Sequence, residues 1–314
     1  VEKTVVCVVG PTACGKTKLG VLLAKQYGGE VVSCDSMQIY RGMTIGTAAP
    51  TAEEMDGVPH HMIAVAEPEE NWSVARFTAA ATACVEEILA RDRLPVLVGG
   101  TGLWLDALLR GHGFAVGQAG GAVRAGLQKE LSQSGIEPLL EELRRVDPAS
   151  AQRLHPSDEK RILRALEVWR ETGRTITEHN AQTQKIPPRY RSIKIGLRFA
   201  DREDMKRLID LRVDEMVRLG LTEEVRALLA RGVPPGATAM QAIGYKEFLG
   251  VLTGEKTEEE AIAEVKLRSR QYAKRQLTWL RRDPDIHWIE WEKDRDFVRA
   301  MQISTEILSG EGLS

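Results

Sequence analysis

The sequence predicts an α/β fold, a parallel sheet flanked by helices and interrupted by a helical insertion. Three observations carry this expectation. Strand-like and helix-like segments alternate through the first hundred residues, and a glycine-rich turn joins the first such pair. A stretch of roughly 70 residues then shows helical periodicity without a strand.

Taken in order, the β-branched run "TVVCVV" (4–9) reads as a first strand and the segment from Lys16 to about Tyr27 as a helix. "EVVSCD" (30–35) is a second strand, "SVARFTAAATACVEEILARD" (73–92) a helix, "LPVLVGG" (94–100) a third strand and "TGLWLDALLRG" (101–111) the next helix. The ends of the three strands bring the turn at 10–17, Ser33 with Asp35, and Gly99 to Thr101 to one sheet edge. Open α/β sheets bind ligands outside the carboxyl ends of their strands, so these segments should face one site. Glycine and alanine replace periodicity at 111–121, after which "AVRAGLQKELSQSG", "EPLLEELRRVD" and "DEKRILRALEVWRETG" read as helices. "SIKIGLRF" (192–199) resumes the sheet, followed by a helix from about Asp204 to Gly220, further helices, a basic segment and a late strand "IHWIEW". The expected domains are a core of 1–111 and 190–314 and a helical insertion of 112–189.

The 314 residues are 43% hydrophobic and 28% charged, the profile of a globular protein with a sizeable core. No apolar run approaches the roughly 20 residues of a membrane span and the N-terminus has no signal-peptide profile, so a cytoplasmic protein is expected. The four cysteines form no C-x-x-C pair, which argues against a metal framework or a disulfide scaffold. A net charge of −2 conceals one asymmetry: Lys266, Arg268, Arg270, Lys274, Arg275, Arg281 and Arg282 follow one another without an acidic residue, interleaved with Tyr272 and Trp279. A solvated helix face would explain the charges alone; charges with stacking-capable aromatics point to a polyanion such as nucleic acid.

"GPTACGKT" (10–17) fits G-x-x-x-x-G-K-[ST] between a strand and a helix, which is a phosphate-binding loop. Backbone N–H groups of Gly10, Pro11's successors Thr12, Ala13, Cys14 and Gly15, and the helix dipole would hold phosphate, with Lys16 as a point charge and Thr17 reaching magnesium. Asp35 ends the second strand facing this loop; it is a helix cap, a magnesium ligand, or a general base for a nucleophile beside the phosphates. Ser36, Gln38 and Tyr40 after it suit recognition of a base. Thr101 either caps its helix or offers its hydroxyl to a phosphate, or does both. Adjacent His60 and His61 have no carboxylate at helical spacing, which favours structural roles over a metal site. From these residues alone, a small-molecule kinase using ATP and a nucleic-acid binding module with an idle phosphate loop both remain open.

Six segments then occur in the order of a known family: "GPTACGKT", "DSMQIYRGMTIGTA", "GGTGLW", "DEKRILRALEV", "QAIGYKE" and "AKRQLTWLRR". Over nearly its whole length the chain resembles the bacterial tRNA dimethylallyltransferases, or tRNA isopentenyltransferases. The resemblance implies a P-loop NTPase-like parallel sheet whose loop holds the diphosphate of dimethylallyl diphosphate in place of ATP. It implies transfer of the dimethylallyl group to N6 of adenosine 37 in tRNAs that read codons beginning with U. The base would be flipped into a channel between the core and the insertion.

By the same resemblance, Asp35 takes the N6 proton, while Lys16, Thr101 and Arg212 stabilise the leaving pyrophosphate, with Mg2+ at Thr17. The anticodon stem-loop would be contacted by Asp35, Ser36, Met37, Gln38, Thr101 and Arg124. Further contacts would come from Lys160, Arg161, Ile162, Leu163 and Arg164, and from Gln241, Ala242, Ile243, Gly244, Tyr245 and Lys246. Lys274 and Arg275, in the basic segment, would grip the backbone. A monomer without membrane contact is expected. Trp104 stands where the family usually has tyrosine, Ala49 where lysine is frequent, and Ser157 where asparagine is usual.

Overall fold

A computed structural model of the chain describes residues 3–111, 121–183 and 185–313. The chain divides into two compact units, Val1–Leu109 with Arg189–Ser314, and Arg110–Pro188.

The first unit is built on a wholly parallel sheet. Its strands are β1 (Thr4–Val9), β2 (Glu30–Ser33), β3 (His60–His61), β4 (Pro95–Gly99), β5 (Arg191–Phe199) and β6 (Ile286–Trp291), in the spatial order β3-β2-β4-β1-β5-β6. Strand periodicity divides β1 between two cores. Val5, Cys7 and Val9 point to one face and Val6 and Val8 to the other, all of them buried.

Helices cover both faces. The first four are α1 (Lys16–Gln26), α2 (Ala52–Met55), α3 (Val74–Ala90) and α4 (Gly102–Arg110). Phe77 and Val85 of α3 and Leu105 and Leu108 of α4 join one core, Leu19 and Leu23 of α1 the other. The neighbours β1 and β4 therefore send their connections to opposite faces. Such a switch opens a crevice at the carboxyl ends of the strands.

The second unit is helical: α5 (Ala122–Ser134), α6 (Glu137–Val146), α7 (Pro148–Arg153), α8 (Glu159–Thr172) and α9 (Ile176–Thr183). Leu127, Leu139, Leu140, Leu143, Ile162 and Leu166 form its own core. Buried Asp147 accepts hydrogen bonds from Ser150 N at 3.1 Å and Thr177 Oγ1 at 2.7 Å, tying α7 to α9. Burial pushes its carboxyl up, and these donors outweigh that and hold it below its ordinary range.

The first unit resumes with β5, α10 (Arg202–Arg218), α11 (Leu221–Ala230), a 3-10 turn at Ala239–Gln241, α12 (Tyr245–Leu252), α13 (Glu258–Leu280), β6 and α14 (Phe297–Gly310). Thr257 and Glu260 close a reciprocal cap at the start of α13.

Several elements differ from the sequence reading. β3 is an edge strand of two residues, too short for any alternation to register, and α7 and α9 carry one or two turns each. The glycine- and alanine-rich break expected at 111–121 falls largely on 112–120, outside the described residues.

Candidate active site

The phosphate loop is fixed from both sides by groups distant in sequence. Gly15 has φ +91°, and a Cβ there would lie 2.7 Å from the Phe297 ring, so only glycine fits the turn into α1. Trp291 Nε1 donates to Cys14 O at 2.9 Å and Arg295 Nη1 to Ala13 O at 3.3 Å. Lys16 Nζ donates to Pro11 O at 2.7 Å, and Thr12 N to Gln276 Oε1 at 2.9 Å. No side chain caps α1 and its first turn holds no acidic residue, so its positive end stays open to an anion.

The charges around the loop favour a polyanion. Burial draws the Lys16 ammonium below its usual lysine value, and Arg212 adds to this while Cys14 and Asp35 oppose it. Burial does the same to the Arg212 guanidinium, opposed by Asp35 and Cys14 and reinforced by Arg295. The Cys14 thiol is itself pushed up by burial, with Lys16, Arg212 and Arg295 opposing. Arg212 thus lies within electrostatic reach of both Lys16 and Arg295, an arrangement that a bound anion relieves.

Asp35 faces this cluster from the carboxyl end of β2. Its Oδ1 accepts from Met37 N at 2.8 Å and Gln38 N at 3.3 Å, and among the described residues Oδ2 has no hydrogen-bond partner. The Gln38 amide donates to Thr47 O and Ala48 O, at 3.3 and 3.1 Å, and its Oε1 lies 3.0 Å from Ser33 Oγ. Gln38 thereby ties the Asp35 turn to the 43–49 loop. That loop is anchored in turn by Glu224, which accepts from Thr44 N, Ile45 N and Gly46 N at 2.9, 2.8 and 3.0 Å and from the Tyr245 hydroxyl. Tyr40 is buried in the core and cannot stack on a ligand, contrary to the sequence reading.

Thr101 stands at the start of α4, yet its hydroxyl does not cap the helix. Its Oγ1 is buried against the Tyr272 hydroxyl. A hydroxyl has one donor and two acceptor sites, so it can serve a ligand oxygen as well as Tyr272. The Tyr272 hydroxyl lies beside it; burial, and then the Asp35 charge, push it up to about 12, with Thr101 and Gln276 opposing.

Helix α13 presents two different faces. Tyr272 and Gln276 look inward, and the part-exposed Trp279 continues their stripe, its Nε1 donating to Asp106 Oδ2 at 2.9 Å. Three of the seven basic residues are already paired: Lys266 with Asp214 at 2.6 Å, Arg268 with Glu264 at 3.3 Å, and Arg270 with Asp210 through Nε at 2.8 Å and Nη2. Lys274, Arg275, Arg281 and Arg282 are exposed, and no ion pair among the described residues engages them. Gln276 and the loop anchors Trp291 and Arg295 were missed by sequence reasoning, which named Tyr272 and Trp279 as stacking-capable aromatics among the basic residues. The helical spacing 272, 276, 279 could have exposed Gln276.

Ser36 and Met37 are half-buried beside Asp35. Gln241 and Lys246 are exposed, Ile243 is half-buried, and Ala242, Gly244 and Tyr245 are buried. In the helical unit Lys160 and Arg161 are exposed, while Ile162 and Leu163 sit in the core. Arg124 and Arg164 approach buried Glu167, at 3.7 and 2.8 Å. His61 Nε2 meets Glu30 Oε2 at 2.7 Å and His60 Nδ1 meets Val58 O at 2.8 Å, structural roles for both.

Among the described residues no three His, Cys, Asp or Glu side chains cluster to hold a metal. A divalent ion here would depend on the Thr17 hydroxyl, water and the oxygens of a bound phosphate, the kind of ligand set magnesium accepts. No helix among the described residues is long and apolar enough to cross a membrane.

Comparison with known proteins places this architecture. A model of the family described as IPP transferase matches residues 38–283, and one described as isopentenyl transferase matches 3–65. The tRNA dimethylallyltransferase of Halalkalibacterium halodurans is 44% identical over 312 residues, covering 99% of this chain and 98% of that protein. The solved tRNA isopentenylpyrophosphate transferase of Bacillus halodurans is similar with a TM-score of 0.72 at 40% identity, over 99% of this chain and 98% of that one. A eukaryotic dimethylallyltransferase, solved acting on tRNA, gives a TM-score of 0.82 at 29% identity, over 98% of this chain and 80% of that one. With the phosphate loop, the Asp35 turn and the α13 stripe in one sheet-edge site, and with matches spanning the chain, this protein belongs to the IPP transferase family.

Proposed function

We infer that this chain is a tRNA dimethylallyltransferase, which moves a dimethylallyl group from dimethylallyl diphosphate to N6 of adenosine 37 in tRNAs reading codons beginning with U. The observation that carries the reading is the pairing of an open phosphate loop, flanked by Lys16 and Arg212, with a carboxylate at Asp35 one of whose oxygens has no hydrogen-bond partner among the described residues. Membership of the family supports it over a kinase that would use the same loop for ATP.

In this reaction the N6 lone pair attacks C1 of the allyl group as the bond from C1 to the diphosphate oxygen breaks, its electron pair leaving with pyrophosphate. The exocyclic amine is a weak nucleophile, so its proton must be removed as the new bond forms; Asp35 Oδ2 accepts it. Lys16, Arg212, the amides at the start of α1 and the buried Thr101 hydroxyl stabilise the charge gathering on the leaving group. Magnesium held at Thr17 would neutralise part of the diphosphate charge. Exposed Lys274, Arg275, Arg281 and Arg282 take the tRNA backbone, with Gln241 and Lys246, while Lys160, Arg161, Arg124 and Arg164 supply contacts from the helical unit, 112–189 in the sequence division.

The test is transfer of label from dimethylallyl diphosphate to unmodified tRNA, with magnesium and without ATP. Incorporation at A37 is expected. A requirement for ATP, or phosphorylation of a small molecule instead, would overturn the reading.

A further inference from the structure

We propose that Gln276 is a positioning residue that sets the spacing between the two loops flanking the diphosphate. It is buried on the inner face of α13, 5% exposed. Its Oε1 accepts from Thr12 N in the phosphate loop at 2.9 Å, and its Nε2 donates to Gly100 O, next to Thr101, at 3.1 Å. The amide orientation follows from its partners, since an N–H needs an acceptor and a carbonyl needs a donor.

Few other side chains can do this. The head group must carry a donor and an acceptor in one plane at a fixed separation, at the reach of two methylenes from α13. Gly100 shows how closely the parts meet, because a Cβ at that position would lie 2.1 Å from Gln276 Nε2. The bridge therefore ties β1's loop to β4's loop through a third element. It fixes the gap across which the loop amides and the Thr101 hydroxyl would reach the same diphosphate. Gln276 touches no reacting atom; it acts through Thr12 and Gly100.

The proposal rests on the assignment of both loops to the diphosphate, and the test separates the two. Magnesium pyrophosphate is titrated calorimetrically into the full-length wild type, Gln276→Leu and Gln276→Glu between pH 6 and 8. Gln276→Leu should bind it on the order of tenfold more weakly, because both hydrogen bonds are gone. Its tRNA affinity should stay within about twofold, because the exposed charges of α13 carry the salt-dependent contacts.

Gln276→Glu has nearly the same shape. As a carboxylate it keeps the acceptor for Thr12 N but sets a negative charge against Gly100 O; when protonated it recovers the donor. Its affinity relative to wild type at the same pH should therefore be low at pH 8 and rise toward 1 as the pH falls. Gln276→Leu carries no charge and so separates loss of the bridge from repulsion between an ionised glutamate and pyrophosphate; if it fails to fold, Gln276→Met takes its place. Wild-type affinity in the uncharged variant, or in Gln276→Glu at pH 8, overturns the bridge. No binding of pyrophosphate by the wild type overturns the assignment of the loops instead.

Discussion

At Asp35 the two carboxylate oxygens have different duties. Oδ1 holds the turn by accepting from Met37 N and Gln38 N, whereas Oδ2, without a hydrogen-bond partner among the described residues, is the oxygen proposed as the base. Asn at this position keeps an oxygen for the turn and removes only the base, so Asp35→Asn should lower kcat by roughly 10²- to 10⁴-fold. The affinities for tRNA and dimethylallyl diphosphate should change little; single-turnover rates and separate titrations of the two ligands check this. Weaker diphosphate binding, with rescue by added magnesium, would identify Asp35 as a metal ligand instead. The placement of Lys16 and Asp35 beside one another was legible because both follow strands of one parallel sheet. Tyr40 was misread because a tyrosine in a loop looks available for stacking until the core behind it is known. Trp104, where the resemblance leads one to expect tyrosine, packs against Phe77 with ring centroids 4.3 Å apart in the core.

Among the elements, α13 carries the sharpest contrast between what sequence offers and what folding does with it. The run of seven cations was legible as charge. Which of them are available was not, because the acids Asp210 and Asp214 that pair with Arg270 and Lys266 belong to α10, far back in the chain. Replacing Lys274 and Arg275 with Gln should weaken tRNA binding and flatten its salt dependence by about one slope unit for each phosphate no longer neutralised. Arg270→Gln should leave that slope nearly unchanged and cost stability instead, by about 0.2–1 kcal/mol, since its pair with Asp210 is part-exposed. Filter binding across a salt series, paired with thermal unfolding, distinguishes the two. An equal drop in slope for Arg270→Gln would mean that its pair opens to receive tRNA. The edge strand β3 was illegible for a simpler reason: two histidines hold no pattern, and their place is decided by β2 and by Glu30.

At the scale of the whole molecule, the parallel sheet and its interruption were legible because alternating strands and helices give way to helices alone, a change of period that needs no tertiary information. The strand order was not legible, since it depends on which neighbours the crossovers choose. In the fold, the chain leaves the first unit after Leu109 and returns at Arg189, and Arg189 N donates to Leu109 O at 2.8 Å. A short Gly-Ser linker replacing 110–188 should therefore leave the sheet folded and able to bind magnesium pyrophosphate, while tRNA modification is abolished. Circular dichroism, calorimetry and the label-transfer assay read the three outcomes; failure of the shortened chain to fold would make the segment part of the core's stability. The hydrogen bond between exit and return also bears on how such a chain can change over generations. Once the sheet holds two points of a chain together, lengthening the loop between them is thermodynamically cheap, about 0.6 kcal/mol of closure entropy for each doubling. Insertions and deletions between Leu109 and Arg189 thus cost the folding of the sheet little, so the contacts of that segment itself, and not the stability of the first unit, decide which changes of length are kept.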